Sequence, residues 1–240
     1  MRQNTVNILS TRILEEESIA MAAKRNILID SVPFIQVRPT GDESLPARIQ
    51  GLAFLPQIVV FTSVHAVEAV ASCLNHPPPY WQFYCIGNAT LSRIKERFGG
   101  FPVIEGTGNS AAELTERIAA DGVHSRPVYF CGNRSRRDLP DQLSALGIRL
   151  EEIVVYLTED CSPRIDIHYN GILFFSPSAV NSFFSANQAG PDTVFFTIGK
   201  TTAAEIRKYG QRKIITPGLP KEEDVIRKAI LYFKNNPVNH

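Results

Sequence analysis

The chain has 240 residues, and 44% of them are hydrophobic, which is typical of a globular protein of one or two modest domains. Its 25 lysines and arginines nearly balance its 24 aspartates and glutamates, and this balance argues against binding of nucleic acid or anionic membrane through bulk charge. No apolar run approaches the ~20 residues that cross a bilayer, and the first residues lack the apolar core of a secretory signal. We therefore expect a soluble, cytoplasmic protein.

Short β-branched or aromatic runs alternate with amphipathic stretches, a pattern that predicts an α/β protein with mostly parallel sheets. We predict strands at residues 7–10, 27–34, 58–62, 82–86, 102–105, 128–131, 153–158, 172–176, 193–198 and 213–216. Among the intervening helices, Ser110 and Glu113 have the spacing of a capping box, and Pro220 lies at a predicted first helical position. Two helices are expected to bury apolar stripes, formed by Leu139, Leu143 and Leu146 in one and by Val225, Ala229 and Phe233 in the other.

The cysteines and histidines do not have the spacing of disulfide or metal sites. The cysteines form no C-x-x-C pair and lie in or beside apolar runs, which favours small buried thiols in a reducing compartment. The histidines are scattered, with no H-E-x-x-H pattern, so we expect no metal. The residues concerned are Cys73, Cys85, Cys131, Cys161, His65, His76, His124, His168 and His240.

Segments of the first half recur in the second half, in the same order and at nearly constant spacing. FTSVHAV at 61–67 aligns with FFSPSAV at 174–180, and IGNAT at 86–90 aligns with IGKTT at 198–202. The C-terminal copy then lacks two strands, and the predicted strands 7–10 and 27–34 can supply them. The alternative is chance similarity between βα units.

A permuted duplication of this kind predicts two similar α/β domains, one of them discontinuous. We expect residues 1–34 plus 159–240 to form one domain and residues 35–158 to be inserted into it. Two segments, near 34–38 and 156–161, then cross between the two lobes as a two-stranded linker. Such a double crossing favours a hinge, because each lobe keeps its own core.

Small hydroxyl side chains follow the predicted strands at corresponding places in the two copies. In a parallel sheet, ligands approach beyond the carboxyl ends of the strands, where helix N-termini present free N–H groups. These hydroxyls can line the mouth between the lobes and favour a multiply charged anion. Alternatively, each caps its own helix, and Thr202 with Glu205 has capping-box spacing. The residues are Ser63, Thr90, Ser176, Thr201 and Thr202.

Two further side chains are candidates because of where they follow strands. Arg12 lies after the first strand, where a guanidinium can bind a carboxylate; the alternative is an ion pair with the acidic run 15–17. Tyr156 ends the last strand of the inserted lobe, where a phenol that is protonated at neutral pH can act as a general acid. The alternative for Tyr156 is an amphipathic side chain at a strand end.

Nucleotide sites have no support in the sequence. The segment that contains Gly199 and Lys200 lacks the earlier glycine of a phosphate-binding loop, since Val194 occupies that position. No G-x-G-x-x-G opens a helix after a strand, and no serine lies in a nucleophile elbow. We therefore expect no cofactor. Where the protein catalyses a reaction, we expect it to act by positioning the substrate and by hydrogen-bond donors.

Several short signatures, taken in order, resemble the uroporphyrinogen-III synthase family. They are FTSVHAV, CIGNAT, CGNRSRRDLPDQLSALG, VVYLT, FFSPSAV and IGKTTA, and the resemblance covers nearly the whole chain. It implies two α/β domains joined by a two-stranded linker, and a cofactor-free lyase of haem and porphyrin biosynthesis. The implied reaction closes hydroxymethylbilane, a linear tetrapyrrole with eight carboxylates, with loss of its hydroxyl and inversion of ring D through a spiro intermediate.

The resemblance also implies roles for the candidate residues. Tyr156 corresponds to the tyrosine proposed to help the hydroxyl leave, and Arg12 matches the arginine after the first strand. The hydroxyl residues Ser63, Thr90, Ser176, Thr201 and Thr202 fall in segments that line the family's cleft. Lys200 departs from the family, which often has proline there; it either binds a substrate carboxylate or points into solvent.

The expected partner is this small polycarboxylate, bound by a monomer, with no nucleic acid and no membrane. A second hypothesis is a hinge-type binding module that holds an anionic small molecule without turning it over, since two lobes around a cleft suit that role equally.

Overall fold

The computed structural model describes residues 5–99, 103–123, 125–210 and 212–238. The strands are β1 (Val6–Ser10), β2 (Ile27–Ser31), β3 (Ile35–Pro39), β4 (Gln57–Phe61), β5 (Trp81–Ile86), β6 (Val103–Gly108), β7 (Val128–Gly132), β8 (Glu151–Asp160), β9 (Gly171–Phe174), β10 (Val194–Thr197) and β11 (Ile214–Ile215). The helices are α1 (Glu16–Ala23), α2 (Leu45–Ala53), α3 (Val64–Ser72), α4 (Asn88–Arg97), α5 (Ala111–Ala120), α6 (Asp138–Ala145), α7 (Pro177–Ala186), α8 (Lys200–Arg207) and α9 (Glu222–Asn235).

The chain divides into two compact units, each with its own sheet. The first unit combines the chain up to Gln36 with the chain from Glu159 onward, and the second unit is Val37–Thr158. Both sheets are built mainly of parallel strands with helices between them. The predicted α/β class with mostly parallel sheets is therefore confirmed.

The sheet of the first unit has the order β11-β10-β9-β1-β2, with every pairing parallel. Helices cover both of its faces, so consecutive strand residues are buried on opposite sides. Phe195 packs with residues of α7 and α8, whereas the adjacent Phe196 packs with residues of α9. This two-sided burial explains the nearly continuous apolar runs in the sequence.

The sheet of the second unit has the order β3-β8-β7-β4-β5-β6, and the five strands from β8 to β6 pair in parallel. One face packs with α2, α3 and α4 around Phe61, Phe83 and Phe130. The other face packs with α5 and α6 around Val60 and Tyr129. These alternating contacts fix which side chains point away from the core at the strand ends.

The two sheets share one strand order if β9, β10 and β11 are matched with β4, β5 and β6. The remaining strands β1 and β2 then match β7 and β8, so the series β11-β10-β9-β1-β2 corresponds to β6-β5-β4-β7-β8. The boundaries between the units fall inside β3 and β8. This is the correspondence that a permuted pair of repeats predicts.

The predicted strand 27–34 is wrong at its end, because the structure ends β2 at Ser31 and begins β3 at Ile35. Pro33 lies between them. It has no amide proton to donate to a neighbouring strand, and it restricts the backbone conformation of the residue before it. The following residue, Phe34, is buried, and its carbonyl accepts hydrogen bonds from the Ser182 hydroxyl (2.7 Å) and the Cys161 amide (3.0 Å). No element was predicted where α2 lies.

Several local predictions can also be compared with the described residues. The Ser110 hydroxyl accepts from the Glu113 amide at 3.2 Å, which confirms the N-cap, but the Glu113 carboxylate accepts from the Asn109 amide at 2.8 Å and not from the Ser110 amide of a capping box. Pro220 is not helical, because Lys221 is the N-cap of α9, and Leu146 is 57% exposed because α6 ends before it. The stripe of α9 is buried as predicted. Residue 102, where one predicted strand begins, and His124 and His240 lie outside the described residues.

The cysteines are all free, but they do not share one environment. Cys85 and Cys131 are buried, and burial raises the pKa of the Cys85 thiol to about 11. Cys73 is partly buried, whereas Cys161 is exposed, so the prediction of a buried thiol is wrong there. Cys161 follows β8, where the chain leaves the sheet.

Within the part of the chain that the structure describes, no helix is both long enough and apolar enough to span a bilayer.

Tyr169 provides a test of the packing of the first unit. Its hydroxyl donates to Asp30 at 2.8 Å, and burial, followed by the Asp30 contact, raises the pKa of Tyr169 to about 12. The folded state therefore favours the neutral phenol. Since the unfolded phenol titrates near ~10, this contribution to the free energy of unfolding is complete below pH ~10 and is lost as the pH rises toward 12.

We expect Tyr169→Phe to lower the free energy of unfolding by about 1 kcal/mol at pH 8, because the hydrogen bond to Asp30 is lost. The variant should also lose less stability than the wild type between pH 9.5 and 11.5. Urea unfolding followed by circular dichroism over this range measures both effects. Parallel alkaline slopes in the two proteins would contradict the assignment to Tyr169.

Candidate functional site

Two of the predicted site residues come into contact beside the carboxyl end of β4, although Tyr156 lies within β8 and does not end that strand as predicted. Ser63 follows β4 with an extended backbone and is the N-cap of α3, where its hydroxyl accepts from the His65 amide at 3.1 Å. Tyr156 lies on β8, and its hydroxyl donates to the same Ser63 oxygen at 3.2 Å. Both side chains are partly exposed. A phenol and a serine hydroxyl therefore form one hydrogen-bonded pair at this edge of the sheet.

A glycine on the intervening strand makes this contact possible. Strand β7 lies between β4 and β8, and Gly132, its last residue, pairs with Tyr156 in the register. A Cβ at position 132 would lie 2.5 Å from Cζ of the Tyr156 ring and 2.8 Å from its hydroxyl oxygen. Because glycine has no Cβ, the ring can lie across β7 and reach Ser63. Sequence reasoning gave Gly132 no role.

Backbone and side-chain contacts hold Tyr156 on both sides. The Asn133 amide donates to the Tyr156 carbonyl at 3.3 Å, and the Asn133 side chain accepts from the Thr158 amide at 2.8 Å. The His65 ring lies 5.6 Å from the Tyr156 ring, centroid to centroid. Strand β8 therefore cannot shift at this point without breaking several contacts.

Next to this pair lies a groove of about 690 Å³ within the second unit. It is bordered by the chain from Val37 to Pro46, by one side of α3, and by Val155, Tyr156 and His65. The Tyr156 phenol thus lies beside a space of the second unit that is open to small molecules.

A second tyrosine supports the same sheet edge from inside. Tyr129 on β7 is buried, and its hydroxyl is 2.9 Å from that of Thr62, the residue after β4. Burial is the main factor that raises the pKa of Tyr129, so this phenol remains neutral. The Thr62–Tyr129 contact therefore joins β7 to the residue that immediately precedes Ser63.

In the first unit, Ser176 occupies the position that matches Ser63. It is the N-cap of α7, and its hydroxyl accepts from the Ala179 amide at 3.1 Å. The preceding residue, Phe175, lies under the guanidinium of Arg12, which is 4.1 Å from the ring centroid. Arg12 and Ser176 therefore share the carboxyl edge of the neighbouring strands β1 and β9.

The Arg12 guanidinium also forms an ion pair with Glu222, the first residue of α9. The same carboxylate accepts from the Glu15 amide at 3.2 Å. The alternative that Arg12 pairs with the carboxylates of residues 15–17 is wrong, because the partner is Glu222. Arg12 remains 47% exposed, so part of the guanidinium stays available.

The threonines are not helix caps. Gly87 and Gly199 are the N-caps of α4 and α8, so Thr90, Thr201 and Thr202 lie inside the first turns. The predicted capping box is wrong, because Glu205 instead binds Lys208 at 2.8 Å. Thr90 and Thr202 are only 4% and 2% exposed, whereas Thr201 is exposed. Lys200, at the start of α8, is also exposed.

Over residues 5–99, 103–123, 125–210 and 212–238, no three histidine, cysteine or acidic side chains lie close enough to hold a metal ion.

Residues 20–227 match the family model described as uroporphyrinogen-III synthase HemD. No curated relative matches the sequence. Among solved structures, uroporphyrinogen-III synthetase from Helicobacter pylori superposes with a TM-score of 0.66 at 14% identity, covering 95% of this chain and 100% of that one. A mutant uroporphyrinogen III synthase from Thermus thermophilus has a TM-score of 0.64 at 13% identity, covering 96% and 99%. At these identities the structures show a shared fold.

The contact of Gly132 with Tyr156 can be tested by a double-mutant cycle. We expect Gly132→Ala to lower the free energy of unfolding by about 1–3 kcal/mol, as overpacking does. In a Tyr156→Ala background the same change should cost at least about 1 kcal/mol less, because the ring is gone. Gly51→Ala in α2 is the control. A Cβ added at Gly51 would have no atom within 4 Å, so this substitution should leave the free energy of unfolding unchanged or raise it. Equal costs of Gly132→Ala in both backgrounds would rule out the contact.

Proposed function

This chain belongs to the uroporphyrinogen-III synthase family, and from that premise we propose that it closes hydroxymethylbilane to uroporphyrinogen III. The reaction releases the terminal hydroxyl as water, inverts ring D and makes the protein a cyclising lyase of haem and tetrapyrrole biosynthesis. The family match over residues 20–227 supports the reaction class. The observation that supports its chemistry in this chain is the Tyr156–Ser63 pair beside an open groove.

We propose that Tyr156 is the acid of the first step. The hydroxyl of hydroxymethylbilane is attached to a carbon next to a pyrrole, and it leaves as water once its oxygen is protonated. The pyrrole nitrogen then stabilises the resulting cation, which a carbon of ring D attacks. A phenol suits the first role, because its hydroxyl can donate a proton and the Tyr156 side chain lies against Gly132 while its backbone is held by Asn133.

We propose that the carboxyl edges of the two sheets bind the eight carboxylates of the substrate. Arg12 has exposed guanidinium surface and can exchange Glu222 for a substrate carboxylate. Thr201 is exposed at the first turn of α8, and Ser63 and Ser176 are partly exposed at the starts of α3 and α7. The hydroxyls of Thr90 and Thr202 are buried, so these residues complete the proposed set through their place in the first helical turns, where amide dipoles favour anions.

The organisation of the protein is part of the proposal. We propose two domains, residues 1–34 plus 159–240 and residues 35–158, and the shared strand order of the two sheets supports this division. We also propose that the enzyme is a cytoplasmic monomer that needs no cofactor. The near-zero formal charge agrees with binding by hydroxyls and amides instead of a basic surface.

The porphyrin isomer formed by the purified protein tests this function. Without an enzyme, hydroxymethylbilane closes to the uninverted isomer I. We expect freshly prepared hydroxymethylbilane to yield mainly isomer III, measured by chromatography after oxidation of the products to porphyrins. Isomer I alone, together with saturable binding of the bilane, would instead support the hinge-type binding module.

We expect Tyr156→Phe to reduce turnover by about ten- to a hundredfold, because the acid of the first step is lost. Its stability should change by no more than about 1 kcal/mol, the value of one hydrogen bond. Tyr80→Phe is the matched control, since Tyr80 is exposed and immediately precedes β5. Unchanged turnover in Tyr156→Phe would transfer the acid role to another group.

A further inference from the structure

The hydroxyl of Ser63 has only one hydrogen-bonding capacity left. A serine hydroxyl accepts through two lone pairs and donates one proton. The His65 amide (3.1 Å) and the Tyr156 hydroxyl (3.2 Å) both donate to the Ser63 oxygen and occupy its two acceptor positions. The Ser63 proton is therefore the remaining group, and no acceptor for it is found in the part of the chain that the structure describes.

The proton of Tyr156 is directed at Ser63 and not at the groove. The phenol has a single proton, and its donor geometry toward Ser63 Oγ is satisfied. The ring cannot swing freely, because it lies on Gly132 and contacts the His65 ring. Direct donation from Tyr156 to a ligand would require this bond to break first.

We propose that Ser63 is the direct proton donor to the leaving hydroxyl and that Tyr156 supplies the proton through it. This inference rests on the proposed function and assigns Ser63 a role in the chemical step beyond binding a carboxylate. His65 contributes through its backbone amide, which fixes the Ser63 oxygen at the start of α3. We call the Tyr156–Ser63 pair the proton relay.

The step is balanced in atoms and charge. The carbon–oxygen bond of the hydroxymethyl group breaks as its oxygen takes the Ser63 proton and leaves as water. Ser63 takes the Tyr156 proton at the same time, and Tyr156 becomes a phenolate. The pyrrole nitrogen supplies the electron pair that stabilises the carbon. When ring D, the attacking pyrrole, later releases a proton to restore its aromatic ring, that proton returns to Tyr156 through Ser63.

The matching serine of the first unit shows what a cap without this partner looks like. Ser176 accepts from the Ala179 amide as Ser63 accepts from the His65 amide. No tyrosine hydroxyl among the described residues donates to Ser176, whereas Ser63 has Tyr156. Capping alone therefore does not account for the second donor at Ser63.

The relay predicts that Ser63 and Tyr156 act as one unit in catalysis. We expect Ser63→Ala to lower kcat by about the same ten- to hundredfold factor as Tyr156→Phe. The double variant should be no slower than the slower single variant, as in residues that act together. Ser63→Thr keeps both the hydroxyl and the cap and should restore most of kcat.

Two further variants serve as controls for the loss of the helix cap that Ser63→Ala also causes. Ser110→Ala removes the equivalent cap of α5, which lies outside the proposed site, and should leave kcat unchanged. If Ser63→Ala does not fold, Ser63→Gly measures the same loss of the hydroxyl, because glycine at an N-cap costs only a few tenths of a kcal/mol.

Two outcomes would overturn the relay. A raised KM with unchanged kcat in Ser63→Ala would make Ser63 a carboxylate ligand only. Losses that multiply in the double variant would show that Ser63 and Tyr156 act independently. The wild-type isomer assay separates failure of the relay from failure of the proposed function. Isomer III from the wild type together with normal kcat in Ser63→Ala would reject only the relay. Isomer I alone from the wild type would reject the proposed function.

Discussion

The close approach of the Tyr156 ring to the backbone of Gly132 is the constraint on which the site of the second unit depends. Parallel pairing places these two residues side by side, with Gly132 at the end of β7 and Tyr156 within β8. The phenol then extends across β7 to the residue that follows β4, a reach that any side chain at position 132 would block. The hydrogen bond from the Asn133 amide to the Tyr156 carbonyl holds the backbone, and the hydrogen bond to Ser63 holds the hydroxyl end of the ring. The absence of a side chain at Gly132 is therefore as important as the polar contacts in directing the Tyr156 proton toward Ser63.

The parts of the fold that the sequence predicts are those set by local interactions. Apolar runs of strand length identify most strands, because strands covered on both faces need side chains that are apolar throughout. The repeated FTS and FSP segments predict a strand, a serine and a helix, and both serines are N-caps in the structure. The IGN and IGK segments are less informative, because glycine itself takes the cap position there and moves each threonine into the helix.

Contacts between distant residues could not be predicted in this way. Glu222 is 210 residues from Arg12, and nothing in either local sequence indicates that the two will meet. Ser63 and Tyr156 are 93 residues apart, and their contact depends on the order and register of three strands. The signal that could have identified Gly132 is a glycine at the end of a wholly buried strand, next to a strand with an aromatic residue at the same level. That signal appears only once the pairing of β7 with β8 is known.

The comparison of Ser63 with Ser176 shows how similar halves can differ in chemistry. Each serine meets the same local need, an acceptor for an amide at the start of a helix. What differs is the strands on one side of it: β8 carries a tyrosine that reaches across Gly132 of the intervening β7, whereas near Ser176 an arginine lies over Phe175 and is paired with Glu222. The first unit therefore offers a cation that is already paired, and the second offers a proton held in a hydrogen bond. A ligand with many carboxylates can displace Glu222 from Arg12. Only a group that accepts a proton can take part in the hydrogen bonding of Tyr156 and Ser63. In the proposed function both copies therefore contribute to carboxylate binding, whereas the acid belongs only to the copy that carries Tyr156.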